Sequence, residues 1–179
     1  MAVTVFVWDM FKYRPGDGLG VGHASMFVHG AAGTIYISFW PAAHNVKAGW
    51  SSPGVVHFIN GDKEADGQPS WASKPISTLD EAAIIAWWSK IQANPLIDYQ
   101  HKKPIQISGA AHAVQGNKYS ILFNQCSTTV VKALMVGASQ SDRFKIMAWQ
   151  SVHGGSTPYL LHVPTITPKD VKDLVEAIF

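Results

Sequence analysis

The chain of 179 residues has a single cysteine, Cys126, and the residues around it give it the setting of a nucleophile. An apolar run, Ile121-Leu122-Phe123, comes first; Asn124 and Gln125 follow; after Cys126 come Ser127-Thr128-Thr129 and then Val130 to Met135, with Gly137 beyond. This pattern predicts a buried extended segment, a cap at Asn124 and a helix closed by Gly137. Cys126 then falls in the first helical turn, where the partial positive charge of the helix end favours a thiolate. The spacing from Val130 and Ala133 equally suits a small buried core residue, so both readings stand at this point. A catalytic thiolate also needs a histidine on a facing strand, and a polar group to orient that histidine.

His23 meets that requirement through strand parity. Val21 to His29 and Thr34 to Trp40 read as a hairpin around Gly30-Ala31-Ala32-Gly33. Ala24, Met26 and Val28 must share the core face with Ile35, Ile37 and Phe39, which fixes the parity of pairing. The other face carries His23, Ser25, Phe27 and His29 beside Thr34, Tyr36, Ser38 and Trp40. A turn centred on Ala31-Ala32 sets Ser25 opposite Ser38 and His23 opposite Trp40, with Ser38 diagonal to His23. As a polar-face residue His23 is expected to add little to packing.

Other chemistries find less support. The eight histidines include no i, i+4 pair, and there is no Cys-x-x-Cys, so nothing calls for a metal or a cofactor. No serine stands in a Gly-x-Ser-x-Gly frame. Arg14 to Gly20 is glycine-rich but lacks the Lys-Ser/Thr ending of a phosphate loop. With 14 basic and 12 acidic residues and a formal charge of +2, there is no electrostatic case for nucleic acid. One cysteine excludes an internal disulfide. No apolar run reaches the ~20 residues of a membrane span, and the first residues lack the pattern of a signal peptide. If the protein leaves the cell, a route other than a signal peptide must carry it.

The remaining elements must position these groups. A hydrophobic content of 47% with 15% charged residues and no visible linker predict one domain over 1–179, and its strands and helices make it α+β. Ala2 to Met10 alternates as a central strand ended by Asp9. Residues 42–76 read as a long loop with one short strand, Val55 to Ile59, and with Asn60-Gly61-Asp62 as a turn. Trp50 and Trp71 are candidates for a groove lining there, or for plain core cover. Thr78 and Glu81 form a capping-box pattern for a helix that runs toward Pro95 and is apolar nearly all round. Ile105 to Ile107 and Tyr159 to Val163 read as short apolar segments, and Gln115-Gly116-Asn117 as a turn. Ser139 to Asp142 caps a further helix, and Thr167-Pro168 starts the last one, which runs to Phe179.

Three motifs in order, Gly22-His23-Ala24-Ser25, Tyr36-Ile37-Ser38-Phe39-Trp40-Pro41 and Asn124-Gln125-Cys126-Ser127, resemble the circularly permuted papain-like, NlpC-type cysteine hydrolase superfamily, including type VI secretion effectors of the TseH kind. The resemblance implies an antiparallel sheet packed on a cysteine-bearing helix, with the histidine strand preceding the cysteine. It implies a peptide-amide hydrolase with Cys126 as nucleophile, His23 as base and Ser38 as third member. The backbone N–H of Cys126 and the side chain of Gln125 or Asn124 would stabilise the oxyanion, and Trp40, Trp50 and Ser25 would contact substrate. A serine departs from the Asn, Asp, Glu or His common at the third position, so Asp9 and His44 stand as rivals to Ser38. The implied substrate is bacterial peptidoglycan, the implied activity that of an amidase or endopeptidase toxin, and an immunity protein the implied partner. A protease or acyltransferase acting on host protein or lipid remains open, as does a non-catalytic wall- or glycan-binding module.

Overall fold

In the computed structural model, the residues described are 1–8, 13–14, 18–19, 22–41, 52–57, 59–92, 97–98, 103–104, 110–119, 125–153 and 166–179. In chain order the elements are β1 (Ala2–Trp8), β2 (Tyr13–Arg14), β3 (Gly18–Leu19), β4 (His23–Gly30), β5 (Gly33–Ile37), β6 (Phe39–Pro41), β7 (Ser52–His57), α1 (Ile59–Asp66), β8 (Trp71–Ala72), α2 (Glu81–Gln92), β9 (Ile97–Asp98), β10 (Lys103–Pro104), β11 (Ala110–Tyr119), α3 (Cys126–Gly137), α4 (Gln140–His153) and α5 (Pro168–Ile178). The class is α+β, with antiparallel pairing in each sheet.

Alternation along β1 buries Val3, Val5 and Val7 completely or nearly so and makes β1 an inner strand of a four-stranded sheet ordered β5-β4-β1-β8. The β4–β5 hairpin has the register that its apolar parity demands: Met26 faces Ile37, Val28 faces Ile35, and Gly30 faces Gly33. Gly33 takes φ 129° to close the turn.

The expected second strand, Thr34 to Trp40, is in fact two. The ladder with β4 ends at Ile37. Ser38 belongs to neither ladder, and β6 pairs with β7 in a second sheet, ordered β11-β7-β6. The chain departs at Ser38 because the hydroxyl is engaged by a buried carboxylate, while Phe39 and Val56, paired across β6 and β7, keep the core continuous at 2% and 1% exposure.

The helices cover the apolar face of the first sheet. α3 and α2 lie on β4, and α5 on β1. α3 buries Cys126, Val130, Val131, Ala133, Leu134 and Gly137, and α5 buries Val171, Leu174 and Val175, the periodic stripes of packed helices. α5 starts as its sequence directs: Thr167 and Asp170 cap each other and Pro168 is the first helical residue. α4 likewise begins with the Ser139 hydroxyl accepting from the Asp142 N–H at 3.1 Å.

Several local expectations are corrected. The cap of α2 is Asp80, whose Oδ1 accepts from the Ala83 N–H at 2.9 Å and whose N–H donates to Gly137 O at 2.8 Å; the helix therefore starts two residues later than a Thr78 cap would set it. Within α2 only Ile84 and Trp88 are fully buried, and Ala82 and Ala86 face outward. Gly137 closes α3 as its last helical residue, not as a left-handed cap residue beyond it. A Cβ there would lie 2.5 Å from Ile84 Cδ1 and 2.8 Å from Cγ1, so glycine is what lets α2 approach α3. Gln115-Gly116-Asn117 lies inside β11 where its register against β7 slips, and is no chain reversal. The region 42–76, read as a loop with one strand, contains α1 as well as β7 and β8. Trp71 is half-buried on the β8 edge, with Lys172 Nζ 5.9 Å from its ring centre. Asp9, His44, Trp50, Asn124, Ile105–Ile107, Ile121–Phe123 and Tyr159–Val163 fall outside the described residues. Among those described, no helix is long and apolar enough to cross a membrane.

Candidate active site

The site forms where β4 and β5 part. β4 continues past the last β5 pair to Ala24 and His23, both still paired with β1, at Val7 and Trp8. α3 enters over this uncovered end of β4. Gln125 is its N-cap and Cys126 its first helical residue, one position later than the sequence suggested. The Thr128 hydroxyl fixes that start, accepting the Gln125 N–H at 2.8 Å. Gln125 spends one N–H of its amide on Ile166 O at 2.7 Å, which ties α3 to the beginning of α5. The Cys126 N–H, in the first turn, has no partner within the helix.

Cys126 and His23 lie near enough to influence each other's charge and are almost wholly buried, at 3% and 2% exposure. Burial pushes the Cys126 thiol up. The charge and hydrogen bond of His23, a hydrogen bond from the Ala24 main chain and one from Ser127 outweigh it and hold the thiol below its ordinary value. Burial likewise disfavours a charged His23. The charges of Asp62 and Cys126 and a hydrogen bond to each overcome this and raise it to about 9. Each partner thus favours the charged form of the other.

The other side of the imidazole is held by Asp62, which was read from the sequence only as part of a turn. His23 Nε2 lies 3.1 Å from Asp62 Oδ2 and 3.0 Å from Ser38 Oγ. Nδ1 takes no part in either bond. Asp62 is 0% exposed and is a hub of donors. Its Oδ2 also accepts from Tyr36 OH at 2.6 Å, and its Oδ1 accepts from Ser38 Oγ at 2.9 Å and Trp40 Nε1 at 2.8 Å. Four donors converge on one side chain, and only an ionised carboxylate accepts from all of them. Ser38 thus touches His23, as parity requires, but it also braces the carboxylate that supplies the charge.

Two indoles flank the imidazole. Trp40 lies 4.5 Å away, centre to centre, at 33°, and Trp8 lies 5.4 Å away at 51°. Trp8 is held in turn by its Nε1–H donating to Gly67 O at 2.9 Å, just beyond α1. Rings so placed favour an imidazolium through their π faces.

Of the sequence-read residues, Cys126, His23 and Ser38 come together, with Gln125 beside Cys126 and Trp40 against His23. Ser25 is corrected as a substrate contact. It is 0% exposed and hydrogen-bonded to Tyr36 OH at 2.6 Å, so it offers no surface. His23 was expected to add little to packing as a polar-face residue; it is instead almost wholly buried, at 2% exposure. Asp62 and Tyr36 were missed. The available signal was chemical: His23, Ser25, Tyr36, Ser38 and Trp40 are all potential donors on one face, and a buried group of donors needs an acceptor.

Set against family models, curated proteins and solved structures, the chain matches none of them.

Proposed function

We propose that this protein is a cysteine hydrolase of the permuted papain-like, NlpC type that cleaves a peptide amide. One observation carries the reading: the only thiol sits at a helix start, buried beside a histidine whose Nε2 meets a buried carboxylate. In this mechanism the Cys126 thiolate attacks the amide carbonyl carbon, and the electron pair moves to oxygen, facing the Cys126 N–H. As the C–N bond breaks, the His23 imidazolium gives its proton to the leaving nitrogen. His23, now neutral, takes a proton from water as the water attacks the thioester. The acid departs and the thiolate–imidazolium pair returns. Asp62 holds the ring orientation and stabilises the imidazolium throughout.

The substrate proposed is the peptide portion of bacterial peptidoglycan, supported by the order and wording of the three sequence motifs. An antibacterial effector delivered to a target periplasm and countered by an immunity protein is the setting this suggests. The test is incubation of purified peptidoglycan with wild type and Cys126→Ala, with fragments analysed by mass. New fragments carrying a freed amine and carboxylate, formed by wild type only, support the proposal. Binding without turnover by both proteins would favour a wall-binding module.

A further inference from the structure

We propose that Tyr36 is a positioning residue that sets how strongly Asp62 holds His23, and that Ser25 in turn sets Tyr36. The inference rests on the hydrolase reading of the site for its functional meaning. Asp62 Oδ2 is shared between two donors, Tyr36 OH at 2.6 Å and His23 Nε2 at 3.1 Å. The shorter bond takes the larger part of the oxygen's accepting capacity, leaving the carboxylate a weaker partner for the imidazolium than an unshared one.

Tyr36 keeps this role at every pH at which the site works. Burial and the Asp62 charge push its phenol well above the ordinary tyrosine value, so the O–H is never lost there. Ser25 lies 2.6 Å from the same phenol oxygen, and its hydrogen bond acts in the opposite direction, easing proton release from Tyr36. Ser25 is therefore the donor, and the chain runs from its hydroxyl to the Tyr36 O–H and on to Asp62, each bond polarising the next. The hairpin register builds this chain. Tyr36 pairs with Phe27, which places Ser25 on its diagonal on the same face. The groups that face His23 are Asp62 from α1, Cys126 from α3, Ser38 from the β5–β6 junction and the rings of Trp8 and Trp40. Tyr36 reaches His23 only through Asp62.

The experiment is NMR titration of the His23 ring in the full chain as wild type, Tyr36→Phe and Ser25→Ala. Tyr36→Phe frees a lone pair of Oδ2 for His23, so its midpoint rises by about half a pKa unit, a threefold gain in proton affinity. Ser25→Ala weakens Tyr36 as a donor and shifts the midpoint in the same direction by less. An unchanged or lowered midpoint in folded Tyr36→Phe overturns the inference. Should Tyr36→Phe fail to fold, Ser25→Ala decides alone: a rise supports the relay, and no rise or a fall overturns it. The readout needs no substrate. If Cys126→Ala cleaves peptidoglycan as well as wild type, the hydrolase reading fails, and the His23 shift is still measured on its own.

Discussion

Asp62→Asn is the substitution whose effect the geometry constrains most. The amide must place one oxygen and one NH₂ where two carboxylate oxygens now accept four donors. Trp40 Nε1 can only donate, so the amide oxygen belongs at the Oδ1 position, where Ser38 also donates. The NH₂ then occupies the Oδ2 position. Tyr36 can rotate its hydroxyl to accept. His23 can accept only as a neutral ring with Nε2 unprotonated. That tautomer puts the proton on Nδ1, and with Nε2 accepting from the amide neither nitrogen is left to receive the thiol proton. The Asp62 charge, the largest of the influences that raise His23, is also gone, which lets burial favour the neutral ring. Neutralising a triad carboxylate in this way costs on the order of 10⁴-fold in turnover, about 5 kcal/mol of barrier. Ser38→Ala removes one neutral hydroxyl and should cost tenfold at most. The assay is release of peptidoglycan fragments, with circular dichroism and thermal melts to confirm folding. A folded Asp62→Asn protein that loses less than tenfold would refute the assignment of Asp62 as the orienting group.

Three further outcomes are expected. His23→Ala abolishes turnover and also lowers stability, by up to about 3–5 kcal/mol, because it strips a buried charge of a partner; a melting temperature unchanged from wild type would contradict the burial of this contact. For pH, a His23 raised from 6.5 to about 9 contributes stability that is full below 6.5 and lost as pH rises through 9. The lowered thiol contributes stability present above its ordinary value and lost as pH falls through its folded value. The two slopes oppose each other between those limits, so wild-type stability is nearly flat there, whereas Cys126→Ser, with no titrating thiol, loses stability as pH rises; parallel melting curves for the two proteins would count against the ion pair. Gly137→Ala drives a methyl to within 2.5 Å of Ile84 Cδ1 and costs about 1–3 kcal/mol, part of which Ile84→Val recovers by removing that atom; denaturant melts of both variants, with no loss in the first, would show that the helices can separate freely.

The sequence made the hairpin legible because its parity is enforced by burial: Ala24, Met26 and Val28 have one possible face, so His23 and Ser38 must share the other. The start of α3 was legible to within one residue, since amide and hydroxyl side chains mark a helix end. The break at Ser38 was not, because Thr34 to Trp40 alternates without interruption and only tertiary bonding to Asp62 draws the chain away. α1 was hidden for a related reason. Asn60-Gly61-Asp62 has turn chemistry, and the eight-residue helix is too short to show a periodic stripe. Its aspartate is held by donors from β4, β5 and β6 that local sequence does not connect. Gly137 was placed correctly at a helix end, but for the wrong cause, since close approach of α2 and not a left-handed turn demands it.

The central claim, that Cys126 rests as a thiolate paired with His23, is tested most directly by ultraviolet titration of thiolate absorbance, wild type minus Cys126→Ala, across pH. This requires no substrate and no reagent access to a thiol that is 3% exposed. The account predicts a difference signal already present at neutral pH, with its midpoint well below the ~8.5 of an ordinary thiol, and its loss at neutral pH in His23→Ala. A signal that rises only at or above the ordinary thiol value, unaffected by His23→Ala, would contradict it.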